Sequence, residues 1–392
     1  MSVDLILGAD SISPPLTGIG RYAFELARRL PGQVGMGPVR YFALGRWVTL
    51  DDLRGADSAG PDQPRTLRSV LAGNRLAVQA FRLLMPTVQR LRLRGQGAAL
   101  YHSPNYFLPP FSGRTVTTVH DLSHHIYPEF HPAARIDYMR RMLPESLARA
   151  DHVITVSESA RQDLITHMGY PADRATAVPL GVNPVFRPHC AHELAPVLQR
   201  LGLEAQAYTL YVGTIEPRKN LDRLLAAYEA LPSALRRRTP LVLAGSPGWC
   251  SEHTHERMER AASAGWLHYL RFVAQADLPA LYAGAALFAY PSLYEGFGLP
   301  VLEAMASGVP VVTSNTSSLP EVVGAVALQV PPEDTAALTQ ALARGLQDER
   351  WRVQAATAGL ERAARFTWER CVEQTVAVYA RVTAAHRGAS AP

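Results

Sequence analysis

The sequence predicts an α/β protein built from two Rossmann-like parallel-sheet domains that face each other across a cleft. Three observations predict this. Short apolar runs alternate with helix-forming stretches along the whole chain, the pattern of parallel strands joined by crossover helices. The 392 residues exceed the roughly 250–300 at which a single core stops growing. The stretch Pro179-Leu-Gly-Val-Asn-Pro-Val-Phe-Arg-Pro188 is too rich in Pro and Gly for a long helix, so it divides the chain into two halves of similar length.

Taken in order, the strand-like runs are Val3–Leu7, Thr115–Val119, His152–Val156, Tyr208–Val212, Leu241–Ala244, Tyr269–Val273, Ala286–Tyr290 and Val309–Thr313. Helices are expected over Arg21–Leu30, Leu221–Ala230 and Leu278–Ala283. No fixed-period repeat points to a solenoid. No apolar run approaches the ~20 residues that span a bilayer. The N-terminus lacks a basic leader and reads as a first strand, so a cytoplasmic protein is expected.

Composition narrows the function classes. The three cysteines, Cys190, Cys250 and Cys371, form no paired or zinc-like spacing. Net charge is a modest +5, but residues 65–94 hold seven arginines and no acid, interleaved with Leu, Val, Phe and Met. A basic amphipathic helix of this kind suits an anionic membrane surface or an anionic ligand, unless it is simply a solvated face. No nucleic-acid-binding motif accompanies it. His124-His125 has no spaced carboxylate beside it, and the chain contains no Asp-x-Asp, so no metal is expected.

The chemistry concentrates in loops that follow strands. In Pro291-Ser-Leu-Tyr-Glu295-Gly-Phe-Gly-Leu-Pro300-Val-Leu-Glu303, a buried strand leads through a Gly-containing loop into a short helix. Pro300 suits its first turn and Gly308 its end. Amides around Leu299 to Leu302 would form an anion site for a diphosphate, flanked at different depths by Glu295 and Glu303. In Gly213-Thr-Ile-Glu-Pro-Arg218-Lys219-Asn220, two cations follow a strand and precede a helix capped by Asn220, a placement that can hold a departing diphosphate. A solvated basic pair is the plainer alternative. Gly18-Ile-Gly20 precedes a helix and can approach phosphate, although it departs from the dinucleotide fingerprint. His120, in Val-His-Asp at a strand end, can donate to a sugar hydroxyl; a core histidine held by backbone is the alternative.

These segments together resemble family 4 retaining glycosyltransferases with the GT-B fold, over essentially the whole chain. The resemblance rests on Glu-x7-Glu at Glu295 and Glu303, the Gly213–Asn220 loop, Gly18-Ile-Gly20, Val-His120-Asp121, the run from Asp151 to Ser159, and Phe366-Thr-Trp-Glu. It implies an acceptor-binding domain over 1–187, a nucleotide-sugar-binding domain over 188–371, and a last helix, 372–392, packed back on the first. By resemblance Glu303 binds ribose hydroxyls, and Glu295 the donor sugar near its 3-hydroxyl. Gly213, Arg218, Lys219 and the Gly20 amide bind the diphosphate. His120 contacts the sugar, and Phe272 and Val273 line the base pocket. The family works without a metal and keeps the anomeric configuration. The form of the two central motifs is similar to that of mannosyl- and rhamnosyl-transferring members, which implies a GDP-hexose donor and a lipid-linked glycan acceptor in O-antigen synthesis. The stretch 65–94 would then dock the enzyme at the inner face of the plasma membrane. A UDP-sugar hexosyltransferase, a nucleotide-sugar 2-epimerase and a non-catalytic nucleotide-sugar-binding partner are the alternatives.

Overall fold

A computed structural model describes residues 2–14, 16, 18–58 and 75–389. It divides into two compact units. The first comprises residues 1–121, 138–179 and 368–392; the second comprises 122–137 and 180–367. The sequence placed the divisions at 187/188 and 371/372. The structure places them after Pro179 and Thr367, and it also transfers sixteen residues of the N-terminal half, Leu122–Asp137, to the second unit. That segment is anchored there by aromatic and hydrogen-bonding side chains: the Tyr294 hydroxyl accepts from the Leu122 N–H at 3.3 Å, and the Trp249 indole donates to the Phe130 carbonyl at 2.6 Å. Nothing in a hydropathy pattern encodes such a transfer.

The first unit holds a seven-stranded sheet. Its strands are β1 (Val3–Gly8), β2 (Met36–Ala43), β3 (Arg46–Val48), β4 (Leu100–Ser103), β5 (Arg114–Val119), β6 (His152–Thr155) and β7 (Ala175–Ala177). The order is β3-β2-β1-β4-β5-β6-β7, parallel except for β3. Tyr101, Val116, Val119, Val153 and Ile154 are fully or almost fully buried, as strands covered on both faces require. The helix Gly18–Arg29 starts three residues earlier than the sequence suggests, so Gly18 and Gly20 lie inside its first turn. The terminal helix Trp368–Ala389 packs on β1, β5, β6 and the Gly18–Arg29 helix. Glu25, buried on the latter, accepts from Arg28 at 2.7 Å and Arg29 at 2.9 Å, and Arg29 also pairs with Glu369 of the terminal helix.

The second unit holds a six-stranded parallel sheet. Its strands are β8 (Thr209–Val212), β9 (Leu241–Ala244), β10 (Leu267–Arg271), β11 (Leu287–Tyr290), β12 (Val311–Ser314) and β13 (Leu328–Val330), in the order β10-β9-β8-β11-β12-β13. Strand order reverses between β8 and β11. In open α/β sheets that switch point, beyond the carboxyl ends, is where ligands bind. Strand β10 ends at Arg271, whose φ of 57° breaks the extended run, so Phe272 and Val273 lie on the following loop and not in the strand. No helix among the described residues is long and apolar enough to cross a membrane.

Three histidines in the first unit are held neutral. Burial lowers the pKa of His102 to about 3 and, with nearby arginines, that of His152 to about 4; burial lowers His120 as well. An unfolded chain protonates its histidines near 6.5. Below that pH the unfolded state therefore binds more protons than the folded one, and stability falls. We expect the urea midpoint to hold steady above about pH 6.5 and to drop progressively toward pH 4. Replacing His102 by Gln should flatten that drop in a pH series of unfolding curves.

Candidate functional site

The loops at the β8/β11 switch point carry a buried ionic network. Arg218 and Lys219 lie in the short turn Pro217–Lys219 after β8, and Glu295 lies in the loop after β11. The Glu295 carboxylate accepts from Lys219 Nζ at 2.7 Å and from Arg218 Nη1 at 3.2 Å. Arg218 also donates to the Tyr294 carbonyl at 2.7 Å and to Glu216 at 2.7 Å. Lys219 donates to the Tyr290 hydroxyl at 2.7 Å. The four charged side chains are 4–13% exposed and their formal charges cancel.

Burial alone would raise the Glu295 pKa, but Lys219 and Arg218 outweigh it and hold the carboxyl below its usual range. Burial and the Arg218 charge push the Lys219 ammonium below its usual value, with Glu295 and Glu216 pulling it back. Burial, and after it the same carboxylate, drives the Tyr290 and Tyr211 hydroxyls well above 10, so both stay neutral. The sequence suggested two cations open to a diphosphate. The structure shows them already paired, because a desolvated charge needs a partner. An incoming diphosphate would therefore compete with Glu295 and Glu216 for the same donors.

The surrounding loops are tied down by polar side chains. Asn220 is the cap residue of the Leu221–Glu229 helix, as expected from its position, but its side chain does not cap it. In a left-handed conformation (φ 61°), it donates to the carbonyls of Pro291 (2.9 Å) and Pro332 (2.7 Å), joining three loops. Ser317 accepts from the Glu295 N–H at 2.9 Å, and Ser318 donates to the carbonyls of Glu295 (2.9 Å) and Phe297 (2.8 Å). Sequence reasoning missed this brace; its signal is the run Ser314-Asn-Thr-Ser-Ser318 after β12. It also gave no role to Glu216 or Tyr290.

The helix Leu299–Ala306 begins after Gly298 (φ 109°), a conformation suited to glycine. Of the four amides expected to meet an anion, Pro300 has none, and those of Val301 and Leu302 donate to Gly298 O at 3.0 and 3.2 Å. Leu302 is therefore a core residue with a spent amide, and Leu299 is the first-turn donor left. Glu303 is half-buried, beside the fully buried Tyr282, whose hydroxyl is pushed up by burial and by that carboxylate. Gly213 follows β8, and a Cβ on Gly245 (φ 156°) would lie 1.9 Å from its carbonyl, so the two loop backbones pack directly on each other. On the loop after β10, Phe272 is 41% exposed and Val273 half-buried.

In the first unit, the exposed Gly18 and buried Gly20 open a twelve-residue helix. His120 follows β5, is 7% exposed, and lies edge-on to Tyr22 and Tyr106. Its Nε2 is 2.8 Å from the Pro104 carbonyl, which can only accept, so Nε2 carries the proton. With the ring kept neutral, Nδ1 is an acceptor. The sequence suggested a donating histidine; in the structure the Nε2 proton is committed to the backbone and Nδ1 is the acceptor nitrogen. Of the two alternatives raised for His120, the structure shows the ring held by backbone.

The chain matches two family models, Glycosyltransferase Family 4 over residues 16–186 and Glycosyl transferases group 1 over 199–362. It is 42% identical over 376 residues, 96% of its length and 99% of the relative's, to the O-antigen chain mannosyltransferase B of Escherichia coli.

The chain is a family 4 glycosyltransferase.

Among solved structures, the fold is similar to sucrose-phosphate synthase of Thermosynechococcus elongatus (TM-score 0.70, 24% identity, 98% of this chain and 100% of that one). It is equally similar to WaaG, a glycosyltransferase involved in lipopolysaccharide biosynthesis (TM-score 0.69, 17% identity, 96% and 99%). The architecture is thus GT-B, as the sequence predicted. In this glycosyltransferase the matched segments include His120, the Gly18–Gly20 turn and the loops after β8, β10, β11 and β12.

Two stability effects follow from the geometry. Glu295→Ala leaves Lys219 and Arg218 buried with a missing counter-charge, and should destabilise the fold by about 3–5 kcal/mol in urea unfolding. Asn220→Ala deletes two loop-bridging bonds and should cost about 1–3 kcal/mol by the same measurement.

Proposed function

We propose that this glycosyltransferase moves mannose from a GDP-mannose donor to a lipid-linked glycan in O-antigen synthesis, with retention and without a metal. The observation that carries the reading is the 42% identity, over nearly the full length of both chains, to a protein described as an O-antigen chain mannosyltransferase. In this reading Glu303 binds ribose hydroxyls, and the loop after β10 with Phe272 and Val273 receives the base. Glu295 and the His120 Nδ1 accept from donor-sugar hydroxyls. Arg218, Lys219, the Leu299 amide and the first-turn amides at Gly18 and Gly20 meet the diphosphate.

The electrostatics support this assignment. As the sugar–phosphate bond breaks, negative charge grows on the leaving diphosphate. Arg218 and Lys219 can then shift hydrogen bonds from Glu295 and Glu216 to phosphate oxygens, a gain realised most fully in the transition state. Glu295, relieved of part of its pairing, is free to accept from the sugar. The acceptor hydroxyl attacks the same face and passes its proton to the departing phosphate, which gives retention without a covalent enzyme intermediate. Fixed cations and amides supply the charge stabilisation that a metal would otherwise give.

Docking at an anionic membrane face belongs to the same proposal. The helix Arg75–Arg92 presents Leu84 and Leu91, each 64% exposed, with Val88 between them at helical spacing, beside exposed Arg90, Arg92 and Arg94. Apolar anchors flanked by arginines suit an anionic lipid surface. Arg65 and Arg68, part of the same basic stretch, lie outside the described residues, as do the side chains of Arg75 and Arg82.

Three outcomes test these assignments. In a thermal-shift screen of GDP-, UDP-, ADP- and dTDP-sugars, GDP-mannose at about 100 times its Kd should stabilise by about 2.7 kcal/mol; selective stabilisation by a UDP-sugar would overturn the GDP assignment. Arg218→Ala and Lys219→Ala should each lower kcat about 10²–10³-fold, and activity should survive excess EDTA. Substituting Arg90, Arg92 and Arg94 together by Gln should release the protein from phosphatidylglycerol vesicles in co-sedimentation; unchanged pelleting would refute membrane docking.

A further inference from the structure

The first unit contains a second buried polar network, and its last member, Tyr22, packs against His120. The Tyr379 hydroxyl, on the terminal helix, lies 2.6 Å from Nδ1 of His102 on β4. His102 Nε2 lies 2.9 Å from Thr118 Oγ1 on β5. Thr118 Oγ1 lies 3.0 Å from the hydroxyl of Tyr22, which belongs to the helix opened by Gly18 and Gly20. The Tyr22 ring meets the His120 ring edge-on, with centroids 5.3 Å apart. Tyr22, His102, Thr118 and Tyr379 are all essentially inaccessible to solvent. A neutral His102 has one donor and one acceptor nitrogen, so it can relay a single bond direction from Tyr379 to Thr118 or back.

We propose that Tyr379, His102, Thr118 and Tyr22 are positioning residues for the donor site, locking the orientation of the His120 ring and the glycine turn at Gly18–Gly20 to the terminal helix. The proposal rests on the reading that His120 and that turn contact the donor. None of the four touches substrate in this arrangement; each acts through the next. Four elements (the Gly18–Arg29 helix, the consecutive strands β4 and β5, and the Trp368–Ala389 helix) share one chain of hydroxyl and imidazole groups. Losing one link leaves buried polar atoms unpaired, and the cheapest relief is rotation of the rings that end the chain. For a group that must meet a sugar hydroxyl, an error near 1 Å is worth about a hundredfold in rate.

The test uses the full chain labelled with 15N-histidine, the His120 imidazole signals being assigned by their loss in His120→Ala. The wild type should show a single His120 tautomer protonated on Nε2. In Tyr379→Phe and in Thr118→Val, the His120 signals should broaden or report both tautomers, while Thr118→Ser, which keeps the hydroxyl, should restore the wild-type pattern. With GDP-mannose as donor, kcat should fall at least about tenfold in the first two variants while KM stays within about threefold. Unchanged His120 signals in both Tyr379→Phe and Thr118→Val would overturn the proposal, whatever their activity; if one variant does not fold, the other decides. Disordered His120 signals with wild-type turnover, shared by His120→Ala, would uphold the network and overturn the assignment of His120 to the donor.

Discussion

The Glu295 carboxylate is the group on which the second unit's functional loops depend. It is buried, so its charge is tolerated only because Lys219 and Arg218 reach it from the loop after β8. Those cations in turn are tolerated only because Glu295 and Glu216 are there. The desolvation cost of each charge is met by the others, and the loops that carry them are thereby pinned across the point where strand order reverses. A network with no net charge is a poor electrostatic trap for an anion in the ground state. It is better suited to exchange partners as charge appears on a leaving group, which is what differential stabilisation requires.

Much of the fold could be read from the chain, for specific physical reasons. Eight apolar runs stand out because strands buried on both faces are uniformly hydrophobic. The missed strands depart from that pattern. β4 carries His102, and its run Leu-Tyr-His-Ser looks polar until the imidazole is seen to be satisfied by Tyr379 and Thr118. β2 and β3 are partly exposed, and β7 and β13 are three residues long. The domain limits were placed late because Pro and Gly mark an irregular stretch without saying which side it packs on.

The site was legible as a set of residues but not as a set of bonds. Gly and Pro punctuation located the loops of Glu295 and Lys219, since those residues favour turns and helix starts. The pairing of Glu295 with both cations joins residues more than seventy positions apart, which no local pattern encodes. The Leu302 amide was misread for a related reason: with Gly298 as the cap, Leu302 is the fourth helical residue, and its N–H makes the ordinary i→i−4 bond to the Gly298 carbonyl. The Nε2 proton of His120 depends on Pro104, sixteen residues earlier on another strand's loop.

The chain passes between its two units after Asp121, Asp137, Pro179 and Thr367. Recombination between relatives must respect those crossings. A hybrid made with one junction near the middle would carry Leu122–Asp137 from one parent against Trp249 and Tyr294 of the other, and would seat a foreign Trp368–Ala389 helix on the Tyr379 partner His102. Exchanging the second unit between such enzymes is therefore a four-junction operation. Where sequences diverge, the short aromatic segment and the terminal helix should track the unit they pack in, and not the half of the chain they are written in.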